Sequence, residues 1–297
     1  LFGKMTGFKD TPGYDAADAA VKAMAARNDW VVESTESGGA FNAKTLRNFD
    51  LVLWNNNSGD VLTLKQRAAF QRYMEQGGGF VALHGAGGDP NYFWDWYADT
   101  LLGARFIGHT MAPQFQEARI TANPAHPIFV SSGLPSAWRM TDEWYAFDGN
   151  PADKGASVVL SLDESSYNPV GPMGADIRMG AHPIAWTQCI GRGRMFYSAI
   201  GHKPENYADP HHVALIEHAI HWTATAKDAC SAVRSSRQWP GRCGRVFGRR
   251  LRGPWPAPVP RSRTAGPRSP PTDAPASPAA PPRGRARARR RARHDAP

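Results

Sequence analysis

No run of about eighteen apolar residues occurs in the chain, which excludes an ordinary membrane-spanning helix. Cysteine is scarce: Cys189, Cys230 and Cys243 form no CxxC pair and no even-numbered framework. Neither a zinc ribbon nor a disulfide scaffold is therefore expected, and the thiols read as reduced. GxSxG, GxGxxG behind a strand, GxxxxGK[ST], HExxH and HxxEH are all missing. Their absence removes serine-hydrolase elbows, dinucleotide and P-loop phosphate sites, and the helix-borne zinc motifs. The chain begins "LFGK" without an initiator Met, reading as partway along a strand, which leaves a removed leader open; cytoplasm is the default expectation.

What is present supports a real core: 297 residues, 41% hydrophobic, with ten tryptophans. The formal charge of +9 is unevenly placed. Residues 227–297 hold 18 of the 35 Lys+Arg and 3 of the 26 Asp+Glu, which leaves residues 1–226 at −6. That tail is dominated by Pro, Arg, Ala, Gly and Ser and is expected to be disordered. Its "RGRARARRRAR" reads either as a phosphate-binding arm or as an unselected tail of the kind out-of-frame translation produces. Without aromatic interleaving for base stacking the second reading leads. The tail is expected to be dispensable, and neither nucleic acid nor a membrane is expected as a partner.

Residues 1–226 alternate short β-rich runs with helical patterns, the signature of an α/β sandwich with a mostly parallel sheet. "LFGK", "WVVESTE", "FDLVLWNN" and "FVALHG" read as strands, "YDAADAAVKAMAARN" and "TLKQRAAFQRYMEQGGG" as helices. Thr63 is the N-cap of the second helix and Gly77–Gly79 end it. From Asp89 an irregular tryptophan-rich β insertion follows, with "QFQEARI", "DEWYAF" and "SVVLSLD" as short strands. "HPIAWTQCIGRGRMFYSAIGH" reads as a hairpin turning at Gly191–Gly193. "PHHVALIEHAIHWTATA" is a closing amphipathic helix whose histidines are expected mostly on its solvated face.

In an open parallel sheet, ligands bind beyond the carboxyl ends of the strands. There the chain offers Lys4, Thr6 and Phe8, then Asn55–Asn57, then His84, then His202. "GGGFVALHGAGG" is a strand and glycine-hinged turn of the type that seats a serine or cysteine nucleophile, but it holds His84. Thiol-based glutaminase chemistry is thereby excluded, and His84 is left to bind, ligate or shuttle protons. Nine of the ten histidines lie between His84 and His221. His84, His109, His182 and His202 sit at turns, and Asp142 and Glu143 supply carboxylates. Such a set suits general acid–base work or a divalent metal; no cofactor is demanded and no metal ligand is assigned. Trp94, Trp96, Trp144, Tyr145 and Trp186 flank these groups, and an aromatic wall beside polar groups suits the C–H faces and hydroxyl rims of a sugar. Tryptophans at this density equally serve as core anchors.

"GKMTGFK", "FDLVLWNNNSGDVLT", "GGGFVALHGA", "WDWYADTLLGARFIGH", "DEWYAF", "HPIAW" and "GRGRMFYSAIGH", in that order over residues 1–226, resemble the ThuA-like trehalose-utilisation family. The resemblance implies a flavodoxin-like three-layer sandwich related to class I glutamine amidotransferases but lacking their cysteine. It also implies a role in disaccharide catabolism, on 3-keto sugars made by a partner oxidoreductase. His84, His109, Asp142, Glu143, His182, Trp186 and His202 match the family's recurring segments. Family members often carry "GFRH" near the start where this chain has "GFKD", so Asp10 stands where a histidine is common. Two functions follow: a sugar enzyme, an isomerase or hydrolase, with His84, Asp142, Glu143 and His202 as acid and base and Lys4, Asn56, Trp94, His109, His182 and Trp186 on the substrate; or a noncatalytic sugar-binding or partner-docking module.

Overall fold

A computed structural model describes residues 1–230 apart from Pro90 and Tyr92. The expectations of disorder and dispensability for the basic tail lie, beyond Cys230, outside the described residues.

Asp10 caps the first helix, α1 (Thr11–Arg27), by accepting the Gly13 N–H at 3.1 Å, and α1 buries Ala17, Val21 and Met24 along one stripe. A short helix α2 (Ala43–Leu46) precedes strand β1 (Leu51–Asn55). Helix α3 (Leu64–Glu75) starts at the expected Thr63, with a capping box closed by Gln66. Strand β2 (Gly79–Leu83) is buried along its whole length, as a central strand covered on both faces must be. The insertion supplies a π-helical turn (Trp96–Leu102), β3 (Phe106–His109), β4 (Phe115–Ala122), α4 (Pro127–Ser132), β5 (Ala137–Glu143), β6 (Tyr145–Phe147) and β7 (Ser157–Asp163). The hairpin β8 (His182–Ile190) and β9 (Gly193–Ser198) turns at Gly191, and α5 (Pro210–Thr225) follows, capped by Asp209.

The main sheet runs β1-β2-β9-β8-β7-β4-β5. The three strands β1, β2 and β9 are parallel, and everything beyond β9 is antiparallel. Helices α1 and α5 pack together on the parallel half, and α2 packs with α3, which lies against β9. The α/β sandwich is therefore as expected, with its parallel strands gathered at one edge. The insertion is no separate cap: β4, β5 and β7 extend the same sheet, and only β3 and β6 pair apart. "LFGK" and "WVVESTE" run extended but reduce to single bridges, Phe2 with Trp54 and with Thr35.

One expectation is overturned. Cys189 and Cys230 form a disulfide across 41 residues, so the thiols are not all reduced, and Cys230 is buried. Spacing alone misses the bond because one cysteine sits on the β8 hairpin and the other follows α5. Denatured without reductant, the purified chain exposes one titratable thiol instead of three. Reduction, or Cys189→Ser, lowers stability by about 2–4 kcal/mol in chemical denaturation. Three free thiols would remove the bond.

On α5, His211, His218 and His221 are partly or fully exposed, as expected of most of its histidines, while His212 is fully buried: Nδ1 donates to the Asn206 carbonyl at 3.0 Å and Nε2 has no partner. His126 is buried likewise, its Nδ1 accepting the Ile128 N–H at the start of α4 and its Nε2 bonded to Thr187. Burial pushes both imidazoles down to about 4.

Candidate functional site

At the carboxyl edge of the parallel strands, β2 ends in the anticipated elbow. His84 takes a left-handed backbone (φ 42°), a conformation uncommon for any residue but glycine, and its side chain projects from the strand end. Asn56, at the end of β1 and also at positive φ, braces the turn by accepting the Gly85 N–H at 3.1 Å. Gly201, at φ 141°, brings the loop following β9 against His84. A Cβ there would stand 3.2 Å from the Cβ of His84 and collide with the Tyr207 hydroxyl.

These turns converge three imidazoles on one carboxylate. His84 donates Nδ1–H to the Ala199 carbonyl at 2.8 Å, which leaves Nε2 as an acceptor facing the site. Within reach of that Nε2 stand the Tyr145 hydroxyl at 2.9 Å, His202 Nδ1 at 3.3 Å and Glu143 Oε1 at 3.5 Å. Glu143 Oε1 also lies 3.1 Å from His202 Nδ1. Its Oε2 accepts from Gln114 at 2.7 Å and sits 3.6 Å from His109 Nδ1.

Burial opposes ionisation of Glu143, but the hydrogen bond from His202 and the neighbouring His84 and His109 outweigh it, holding the carboxyl well below the usual range. The converse holds for His202: burial works against its charge, yet the bond to Glu143 raises its proton affinity. Burial first, then the Glu143 charge, lifts Tyr145 far above an ordinary phenol, so it remains a donor. The site thus pairs a fixed anion with acceptors and donors of opposite polarity in one recess.

The other expected residues are placed differently. Asp142 faces away from Glu143's recess. Its fully buried carboxylate, whose proton affinity burial raises, accepts the Gly201 and Lys203 N–H groups and so clamps the loop carrying His202. His182 lies behind the site, with Glu164 at Nδ1 and the Tyr145 carbonyl at Nε2. Lys4 reaches the Val61 carbonyl. Trp94 stacks with Trp96 and Tyr97 under the Arg67 guanidinium, in an aromatic cluster that continues through Trp54, Phe70 and Phe80. Trp186 is wholly buried, bonded to the Leu102 carbonyl, and Trp144 is wholly buried against the Gln116 carbonyl. Those two tryptophans are core, whereas Trp94 and Trp96 stay partly exposed.

The rings that do border the recess are Phe8 and Phe115. Phe8, 71% exposed, stacks on His202 with centroids 6.2 Å apart; Phe115, 40% exposed, lies 5.3 Å from it under Lys203 Nζ. The sequence places Phe8 at this strand edge, but that it and Phe115 are bare is visible only with burial known. A hollow of about 460 Å³ lined by Thr6, Phe8, Ser58, Asp89 and Phe93 shares Phe8 with the recess. The roomier hollow, about 570 Å³, lies around Trp30, Phe49 and Leu51 at the amino end of β1, away from the imidazoles.

Comparison with known proteins gives one consistent relationship. The family model described as ThuA, trehalose utilisation, matches residues 1–223. A solved ThuA-like protein from Bacteroides uniformis is 26% identical, with a TM-score of 0.63 over 75% of this chain and 89% of that one. A second, from Parabacteroides merdae, is 17% identical with a TM-score of 0.55 over 76% and 89%, and speaks for the fold. No curated protein matches significantly. Among the described residues no helix is long and apolar enough to cross a membrane.

Proposed function

We propose, from the premise that this chain belongs to the ThuA trehalose-utilisation family, that it processes a keto-disaccharide by proton transfer beside the ketone. The observation carrying this reading is the meeting of His84 Nε2, Glu143 Oε1, His202 Nδ1 and the Tyr145 hydroxyl within 2.9–3.5 Å of their neighbours. A C–H next to a carbonyl is acidic enough to be removed only if a base and a donor to the developing enolate oxygen act together. His84 and Glu143 are the acceptors within reach; His202 and Tyr145 are the donors. Phe8 and Phe115 offer apolar faces on which a sugar ring rests while its hydroxyls face the polar recess.

A 3-keto disaccharide fits because the free ketone acidifies its neighbour, which an unoxidised sugar cannot offer. An oxidoreductase acting on the same disaccharide is the partner this implies. The full-length chain is expected to convert 3-keto-trehalose, followed by mass spectrometry, while leaving trehalose untouched. Phe115→Ala should raise KM about five- to tenfold with little change in kcat, the loss of one stacking contact. Binding without conversion by the intact chain would return the reading to a noncatalytic sugar-binding module. Compartment follows from the disulfide state in freshly lysed cells: a closed bond assigns an oxidising compartment, open thiols the cytoplasm.

A further inference from the structure

We infer that the recess holds a divalent transition-metal ion of the zinc class, ligated by His84 Nε2, His202 Nδ1 and a carboxylate oxygen of Asp10. The inference rests on the same recess as the proposed function but not on any sugar.

One potential ligand atom from each of these three residues lies within 4.8 Å of the other two. The two ring nitrogens are 3.3 Å apart. Two nitrogens each about 2.0–2.1 Å from a shared ion at a tetrahedral angle stand roughly 3.3–3.4 Å apart, so the imidazoles are already spaced as a ligand pair. His84 is also oriented as a ligand: its remote Nδ1–H is committed to the Ala199 carbonyl, the outer hydrogen bond that fixes the tautomer and aims Nε2.

Hydrogen bonding alone does not account for Asp10. This residue is 8% exposed, one oxygen accepts the Gly13 N–H, and Oδ2 is buried with no partner. A buried carboxylate oxygen left unpaired is costly unless a cation satisfies it. A cation beside the two rings satisfies that oxygen. Two imidazoles and a carboxylate select zinc or cobalt over calcium or magnesium, which prefer all-oxygen shells. Occupancy takes His84 Nε2 and His202 Nδ1 out of the acceptor and donor roles they hold in the metal-free recess and leaves Glu143, beside both, as its proton acceptor and Tyr145 as its donor.

The test is titration of the full-length chain, in a Cys243→Ser background, with ZnCl2 by calorimetry and with CoCl2 by visible absorption, no sugar present. One equivalent is expected to bind and to raise Tm, and tetrahedral cobalt bands are expected to appear. Asp10→Asn preserves the helix cap, since Asn caps as well as Asp, and should weaken binding at least about tenfold; His202→Gln should do the same. His211→Gln, on the half-exposed start of α5, should change nothing. Absence of stoichiometric binding, or equal affinity in Asp10→Asn and wild type, overturns the inference. Loss in His211→Gln with Asp10→Asn unaffected overturns it too. Metal binding without sugar conversion strikes only the proposed function, and conversion unaffected by chelator in a chain that binds no metal strikes only this inference.

Discussion

Glu143→Gln lowers turnover of a 3-keto disaccharide by about 10²–10⁴-fold, the range expected when a positioned proton-transfer group is removed. The substitution keeps size and shape, so Gln114 and His202 retain a partner, but the amide cannot take a proton and carries no charge. His202 then loses the anion that raises its proton affinity and reverts toward a neutral imidazole. Because the histidine can discharge, no stranded buried charge is left, and the melting temperature should move little compared with an ordinary broken buried pair. The effect should fall on kcat far more than on KM, since Glu143 lies beneath the surface and Phe8 and Phe115 line the mouth. Single-turnover mass spectrometry with the full-length chain decides it: a variant keeping kcat within about threefold of wild type removes Glu143 from the chemistry.

Between pH 6.5 and pH 4 the folded chain loses stability through two histidines outside the site. His126 and His212 are buried in the neutral form and lowered to about 4 by desolvation. In the unfolded chain they take up protons near 6.5, whereas in the folded chain they resist until near 4. Their contribution is therefore fully present above pH 6.5 and is lost progressively as pH falls toward 4. At that limit each accounts for on the order of 2–3 kcal/mol, a large share of the ~5–15 kcal/mol that holds a typical domain together. Around His212 the nearby Asp209 charge works weakly against the effect and His84 weakly with it. Protonating His126 also destroys the acceptor that caps α4. Urea denaturation at pH 7 and pH 4.5 measures the drop, and the double variant His126→Gln, His212→Gln should flatten it by several kcal/mol. An unchanged slope in the double variant would falsify this assignment.

Much of the fold is legible residue by residue. Thr63 at the start of α3 and the glycine turn between β8 and β9 are local signals whose partners lie within a few residues, and both form as read. Where the reading fails, the deciding contact is distant. That His212 is the buried one of four α5 histidines is not legible in the helix, because which face of α5 meets β2 and β9 is set by the sheet. Cys189 and Cys230 are separated by a strand and a helix, and only the packing of α5 over the sheet brings them together.

The site divides in the same way. His84 could be singled out because an elbow sequence with an imidazole in the nucleophile's seat is locally odd, and the chain by itself determines that this turn carries no thiol chemistry. Glu143 and its neighbour Asp142 are indistinguishable as letters. In a β-strand adjacent side chains point to opposite faces, so one enters the recess and the other turns to clamp the Gly201–Lys203 loop. Tertiary structure alone decided that, as it decided that Trp144 and Trp186 are core while Phe8 and Phe115 are bare. Identity and local order fix which groups a chain owns; the register of its sheet fixes which of them share a space.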